Sequence, residues 1–76
     1  MKQFNDFDDF RYWFNKMFSL CLNGRFVGLL RLAEYGISWQ RFAYKLYKLF
    51  NGYYRKPVSD VICIRMRGVV LKLYNR

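Results

Sequence analysis

A short segment of the chain carries basic side chains at a spacing suited to binding phosphate. Arg41, Lys45 and Lys48 recur every three or four residues, with Gln40 and Tyr44 beside them. On a helix these residues share one face, where Gln40 and Arg41 can reach base edges in a major groove. Tyr44, Lys45 and Lys48 would then hold phosphates. The same pattern also fits the solvated face of an ordinary amphipathic helix, and both interpretations remain open.

A second group of basic residues lies in the last third of the chain. Its members are Arg55, Lys56, Arg65, Arg67, Lys72 and Arg76. If the residues after Pro57 form a β-hairpin, these side chains would project from it as a basic ribbon that binds phosphates. Outward Lys and Arg also protect an edge strand from aggregation, so this group too has two interpretations.

Several tyrosines stand among these basic residues. They are Tyr44, Tyr47, Tyr53, Tyr54 and Tyr74. Aromatic rings between cations are typical of proteins that stack unpaired nucleobases. A small aromatic-rich core also uses tyrosine for packing, and packing is the favoured interpretation here.

The residue types that catalysis and metal binding require are scarce. The chain has no His, and Cys21 and Cys63 lie in apolar runs typical of buried, reduced cysteines. Asp6, Asp8 and Asp9 fit the first turn of a helix, where carboxylates cap the backbone and complement the helix dipole. We therefore expect no enzyme activity, no bound metal and no cofactor.

The charge of the chain limits its partners. Fourteen Lys and Arg against five Asp and Glu give a net charge of +9 in 76 residues. Residues 1–24 are neutral, whereas residues 25–76 hold eleven bases and two acids. This balance points to nucleic acid, an acidic membrane face or an acidic protein surface. With 54% hydrophobic residues, the chain can bury the core of one small domain.

The sequence favours an intracellular, cytoplasmic protein. No segment approaches the roughly 18 apolar residues of a membrane span, and the acidic stretch at residues 5–9 is unlike a secretory signal. Residues 39–50 are amphipathic and basic, so a helix that lies on a membrane surface is a weaker alternative.

The first two thirds of the chain predict three helices. Apolar residues recur with a helical period over residues 6–22, and Asn23-Gly24 would end that helix. A second, shorter helix is predicted over residues 25–35. The third covers residues 39–51, with Ser38 as its N-cap.

The pattern changes after Pro57. Apolar residues alternate over residues 61–67 and again over residues 69–74, and the phase shifts at Gly68. A turn or bulge at Gly68 would make this segment a β-hairpin or a bent strand, with basic side chains on its outer face. The predicted fold class is α+β: a three-helix N-terminal unit followed by a C-terminal β-hairpin, in a single domain.

Residues 32–42 resemble the core of a helix-turn-helix DNA-binding motif. In that motif a Gly ends the first helix, a hydrophobic residue fills the space between the helices, and a Ser caps the recognition helix. Gly36, Ile37 and Ser38 match these positions, and Phe42 would pack inward. Together with the basic hairpin, the chain is similar to a winged-helix domain, and the resemblance implies that the third helix reads DNA.

The residues and the resemblance together predict a small basic nucleic-acid-binding protein, with DNA favoured over RNA. It would act as a regulator of transcription, and a homodimer is one option. The alternative is an interaction protein that docks its basic, aromatic face on an acidic surface of a host protein. Small chains of this kind resemble inhibitors encoded by phages or mobile elements, including anti-CRISPR proteins.

Overall fold

The fold is that of a computed structural model, which describes residues 4–50 and 59–76. The elements are α1 (Phe7–Met17), β1 (Phe18–Leu22), β2 (Arg25–Val27), a 3₁₀ segment (Leu29–Tyr35), α2 (Trp39–Leu49), β3 (Val61–Met66) and β4 (Val69–Asn75). The strands form one antiparallel sheet in the order β2-β1-β4-β3. Helices together with an antiparallel sheet confirm the predicted α+β class.

One face of the sheet carries the hydrophobic core. Buried residues of α1, α2 and the 3₁₀ segment join those of the strands in a single cluster. The ring of Phe42 in α2 packs against Phe10 and Phe14 of α1, with ring centroids 5.9 and 5.6 Å apart. The described chain therefore has two layers, one of helices and one of strands. The second face of the sheet points away from the core.

Two tight turns build the sheet. Asn23 and Gly24 join β1 to β2 with φ values of 51° and 85°, and Arg67 and Gly68 join β3 to β4 with φ values of 48° and 76°. Positive φ at both central residues matches the right-handed twist of the flanking strands, as in type I′ hairpins. The β-hairpin predicted after Pro57 is thus confirmed as β3 and β4.

The first predicted helix, over residues 6–22, is wrong beyond Met17. Phe18–Leu22 is the strand β1, which pairs with β2 on one side and with β4 on the other. Alternate residues of this run, beginning at Phe18, point toward the core with the period of a strand. The Asn-Gly pair that follows forms a hairpin turn instead of a helix stop.

The second predicted helix, over residues 25–35, is also wrong. Its first residues form β2, and Gly28 separates that strand from the 3₁₀ segment. Leu29 and Leu32 are buried three residues apart, which matches the roughly three residues per turn of a 3₁₀ helix. In place of the predicted three-helix unit, the described chain has α1, a β-hairpin, the 3₁₀ segment and α2.

The two cysteines, both predicted to be buried, differ in exposure. Both are free thiols, but Cys21 is buried and Cys63 is exposed. Cys63 lies on β3, an edge strand, between Ile62 and Ile64, of which Ile64 is buried in the core. Since side chains alternate along a strand, Cys63 falls on the face of the sheet away from the core.

Candidate nucleic-acid interface

The third helix, predicted over residues 39–51, is confirmed as α2, which ends at Leu49. Its start has the expected local geometry. The Oγ of Ser38 accepts a hydrogen bond from the backbone N–H of Arg41 at 3.2 Å, as an N-cap does. Gly36 ends the 3₁₀ segment with a φ of 75°. Ile37 and Phe42 are both buried in the core. Cap, turn and core contacts together determine where α2 begins and which of its sides faces solvent.

The turn before α2 depends on the left-handed backbone of Gly36. We expect Gly36→Ala to lower the free energy of unfolding by about 1 kcal/mol, because a residue with a Cβ is disfavoured in this region. The added Cβ would lie 3.1 Å from the Nε of Arg67, the mobile end of a side chain that can move aside. Urea unfolding followed by circular dichroism measures the change.

Gly28→Ala is the matched control for this turn. Gly28 has a φ of −81°, and a Cβ added there would meet nothing within 4 Å. Its replacement should leave stability unchanged or raise it by up to about 1 kcal/mol. Equal losses of stability at Gly28 and Gly36 would contradict the role given to the turn.

The solvent side of α2 is polar and basic, as the sequence pattern predicted. Gln40, Arg41, Tyr44, Lys45 and Lys48 are all exposed, whereas the opposite side of the helix packs into the core. We call these five side chains the α2 basic face. Their shared exposure leaves three cations available to a ligand.

Aromatic contacts order part of the α2 basic face. The Nζ of Lys48 lies 5.1 Å from the ring centroid of Tyr44, which is a cation–π contact. The Tyr44 ring also stacks on Tyr47, with centroids 6.2 Å apart and an angle of 15° between the planes. Tyr47 packs against the core, while Tyr44 stays 54% exposed. Tyr44 therefore presents a partly exposed ring that contacts both the Lys48 ammonium group and the Tyr47 ring.

Two of the three charges of α2, those of Arg41 and Lys45, work against the stability of the helix, whereas Lys48 lies in the last turn, where a cation is favourable. The helix contains no Asp or Glu, and Arg41 lies in its first turn, at the positive end of the helix dipole. Arg41 and Lys45 are like charges four residues apart, which destabilises a helix by about 0.2–0.5 kcal/mol. In α1, by contrast, Asp8 and Asp9 lie in the first turn and Lys16 in the last. Helix stability therefore accounts for the charges of α1 but not for Arg41 and Lys45.

The predicted hairpin cations divide between two surfaces. Arg67, in the β3–β4 turn, places its guanidinium against Gly36, just before α2. Arg65 and Lys72 lie on the face of the sheet away from the helices, since Ile64 beside Arg65 and both neighbours of Lys72 along β4 are buried. The structure thus brings Arg67 toward the start of α2, but not Arg65 or Lys72. Four further predicted positions fall outside the described residues: Tyr53, Tyr54, Arg55 and Lys56.

The sequence interpretation included Tyr74 of the sheet but missed Phe26, which lies beside it. Phe26 of β2 is 67% exposed, and its ring lies 5.3 Å from that of Tyr74 on β4. Phe26 reaches this face only because β2 pairs with β1, which sets it opposite Cys21. The Asn-Gly pair before β2 is typical of a hairpin turn, but it also suits the end of a helix.

Within residues 4–50 and 59–76, no helix is long and apolar enough to cross a bilayer. Over the same ranges, no three His, Cys, Asp or Glu side chains come together as a metal-binding group. Comparison of the chain with family models, curated proteins and solved structures finds no match. The function is therefore inferred from the surfaces of the chain itself.

Proposed function

We propose that this chain is a small nucleic-acid-binding protein that uses the α2 basic face to bind duplex DNA. The observation that supports the proposal best is a helix face with three exposed cations, no acidic residue and an arginine in the first turn. A polyanion supplies the missing negative charge and relieves the repulsion between Arg41 and Lys45. Lys45 and Lys48 would contact phosphates, which position the protein on the duplex.

The turn before α2 supports docking of the N-terminal end of this helix in the major groove. A helix-turn-helix recognition helix presents its first residues to the bases. Gln40 and Arg41 occupy the first turn here, directly after the cap Ser38. The β3–β4 hairpin follows α2 along the chain, and Arg67 in its turn lies beside Gly36. The hairpin would therefore act as the wing of a winged-helix-like arrangement. Control of transcription is the role that such docking would serve.

The substitution Arg41→Glu separates binding from stability. It places a carboxylate three residues after Ser38, the spacing of a capping box, and at the positive end of the dipole. We expect the free energy of unfolding to rise by about 0.5–1 kcal/mol, while the affinity for duplex DNA falls by about tenfold or more. Thermal unfolding and fluorescence anisotropy with a labelled random-sequence duplex measure the two changes.

Arg25→Glu makes the same change of charge on the edge strand β2 and is the control for binding. Arg25 is exposed, and at ionic strengths near 0.15 M charges interact over only about 8 Å. Its replacement should leave duplex affinity within about threefold of the unmodified chain. If Arg25→Glu and Arg41→Glu weaken binding equally, net charge and not the α2 basic face binds DNA, and the proposal fails.

An acidic surface of a host protein is the second candidate partner. Leu49 is 48% exposed at the end of α2, so the helix presents an apolar side chain close to its cations. Tyrosine and arginine are frequent at the centres of protein–protein interfaces. In this alternative the chain is an inhibitor of the phage or mobile-element kind, anti-CRISPR-like in its action. The alternative predicts no binding to duplex or single-stranded DNA at about 50 mM salt, where phosphate contacts are strong.

A further inference from the structure

Within the described residues, no helix packs on the face of the sheet that points away from the core, where Phe26 and Lys72 are exposed and Cys21 is buried. We call this surface the outer sheet face. It consists of Ser19, Cys21, Phe26, Val61, Cys63, Arg65, Val70, Lys72 and Tyr74. These residues belong together because directly paired residues of an antiparallel sheet share a face. The layer that contains α2 covers the opposite face, so the proposed function makes no use of this surface.

Two aromatic rings stand on the outer sheet face. The ring planes of Phe26 and Tyr74 are inclined at 54° to each other. A hollow of about 340 Å³ beside Phe26 extends to Lys72 and Tyr74. An exposed phenyl ring beside this hollow leaves room for a flat group to stack on it.

The positive charge of the outer sheet face limits the class of partner that can bind there. Arg65 and Lys72 project from it, and none of the four strands contains Asp or Glu. A second copy of the chain would set cations against cations, and burying them without partners is unfavourable. An anionic partner that also carries flat apolar groups matches both the cations and the rings.

Single-stranded nucleic acid has this combination of groups. Its unpaired bases offer open faces to aromatic side chains, whereas the bases of a duplex are already stacked and paired. Lys72 and Tyr74 lie two residues apart on the same face of β4, about 7 Å along the strand. A base stacked on Tyr74 would therefore bring its phosphate within reach of the Lys72 ammonium group.

We propose that the outer sheet face binds single-stranded nucleic acid, with bases stacked on Phe26 and Tyr74 and phosphates on Arg65 and Lys72. The ligand class is that of the proposed function, but the surface is separate from α2. An experiment can therefore contradict one of the two proposals and leave the other standing.

Binding of a labelled oligothymidylate tests this proposal, because such a strand does not pair with itself. Phe26→Ala should weaken its binding about tenfold or more, as expected for the loss of one stacked base. Lys72→Ala should flatten the plot of log K against log salt concentration by about 0.7, the contribution of one phosphate contact in a single strand. Neither substitution should change binding to a duplex.

Leu30→Ala is the matched control. Leu30 is 69% exposed, close to the value for Phe26, but it lies on the 3₁₀ segment and not on the sheet. Its replacement should leave single-strand and duplex binding unchanged. If Phe26→Ala has no larger effect than Leu30→Ala, no base stacks on the Phe26 ring and the proposal is overturned.

Two further outcomes would also overturn it. If Arg41→Glu abolishes binding of the oligothymidylate and Phe26→Ala does not, single strands bind the α2 basic face, and the proposed function stands without this addition. If Phe26→Ala converts a dimer to a monomer in sedimentation equilibrium and leaves oligothymidylate binding unchanged, the outer sheet face belongs to a second copy of the chain.

Discussion

Replacing Arg41, Lys45 and Lys48 together with alanine should lower the affinity for duplex DNA about a thousandfold at about 50 mM salt. Each phosphate contact contributes about −0.9 to the slope of log K against log salt concentration, so losing the contacts of Lys45 and Lys48 should flatten that slope by about 1.8. The fold should survive, because all three side chains are exposed and alanine has the highest helix propensity. Fluorescence anisotropy between about 50 and 200 mM salt measures affinity and slope.

A second triple variant provides the control. Replacing Arg11, Lys16 and Arg25 with alanine removes the same charge from exposed positions on α1 and β2. This variant should keep the slope within about one unit of that of the unmodified chain. Equal losses of affinity in both triple variants would show that binding follows net charge. Loss of the helical circular dichroism signal in the α2 variant would show that its cations are structural.

Replacing Phe42 with alanine should lower the free energy of unfolding by about 3–5 kcal/mol. Phe42 is fully buried between Phe10 and Phe14, and its removal leaves a cavity where α2 meets α1. A domain of 76 residues has only about 4–11 kcal/mol of stability in total. The midpoint of unfolding in urea should therefore fall by about a quarter or more.

Phe26→Ala is the control for this loss of stability, since it also removes a phenyl ring, but from an exposed position. It should lower the free energy of unfolding by less than about 1 kcal/mol. Similar losses at Phe26 and Phe42 would contradict the two-layer arrangement. A small loss at Phe42 would mean that its ring does not hold α2 on the core, and the α2 basic face would lack a rigid support.

The sequence predicts α2 and the β3–β4 hairpin correctly because their signals are local. Ser38 caps α2 by accepting a hydrogen bond from the backbone N–H of Arg41, only three residues further along the chain. The apolar residues of α2 recur with a helical period. In the hairpin, alternation on either side of Gly68 matches the pairing of β3 with β4. Neither element needs information from distant parts of the chain.

The strand β1 was not predictable in the same way. Phe18 and Cys21 continue the helical stripe of α1, but the run Phe18–Leu22 also alternates as a strand does. Pairing with β4, at the other end of the chain, decides between the two. The Asn-Gly pair after the run is equally suited to a helix end and to a hairpin turn, so it did not resolve the choice.

The features of the candidate site also differ in whether local sequence is enough to predict them. The exposure of Arg41, Lys45 and Lys48 follows from the helical period and was predicted. The separation of Arg65 from α2 depends on which face of the sheet the helices cover, and that is settled only once β1 is placed beside β4. The exposure of Phe26 depends on the same placement, since β2 pairs with β1.

The salt dependence of duplex binding by the unmodified chain tests the central claim most directly. If Lys45 and Lys48 contact phosphates, log K should fall against log salt concentration with a slope of about −1.8 or steeper. No measurable binding at about 50 mM salt, or an affinity that does not change with salt, would contradict a DNA-binding role for the α2 basic face.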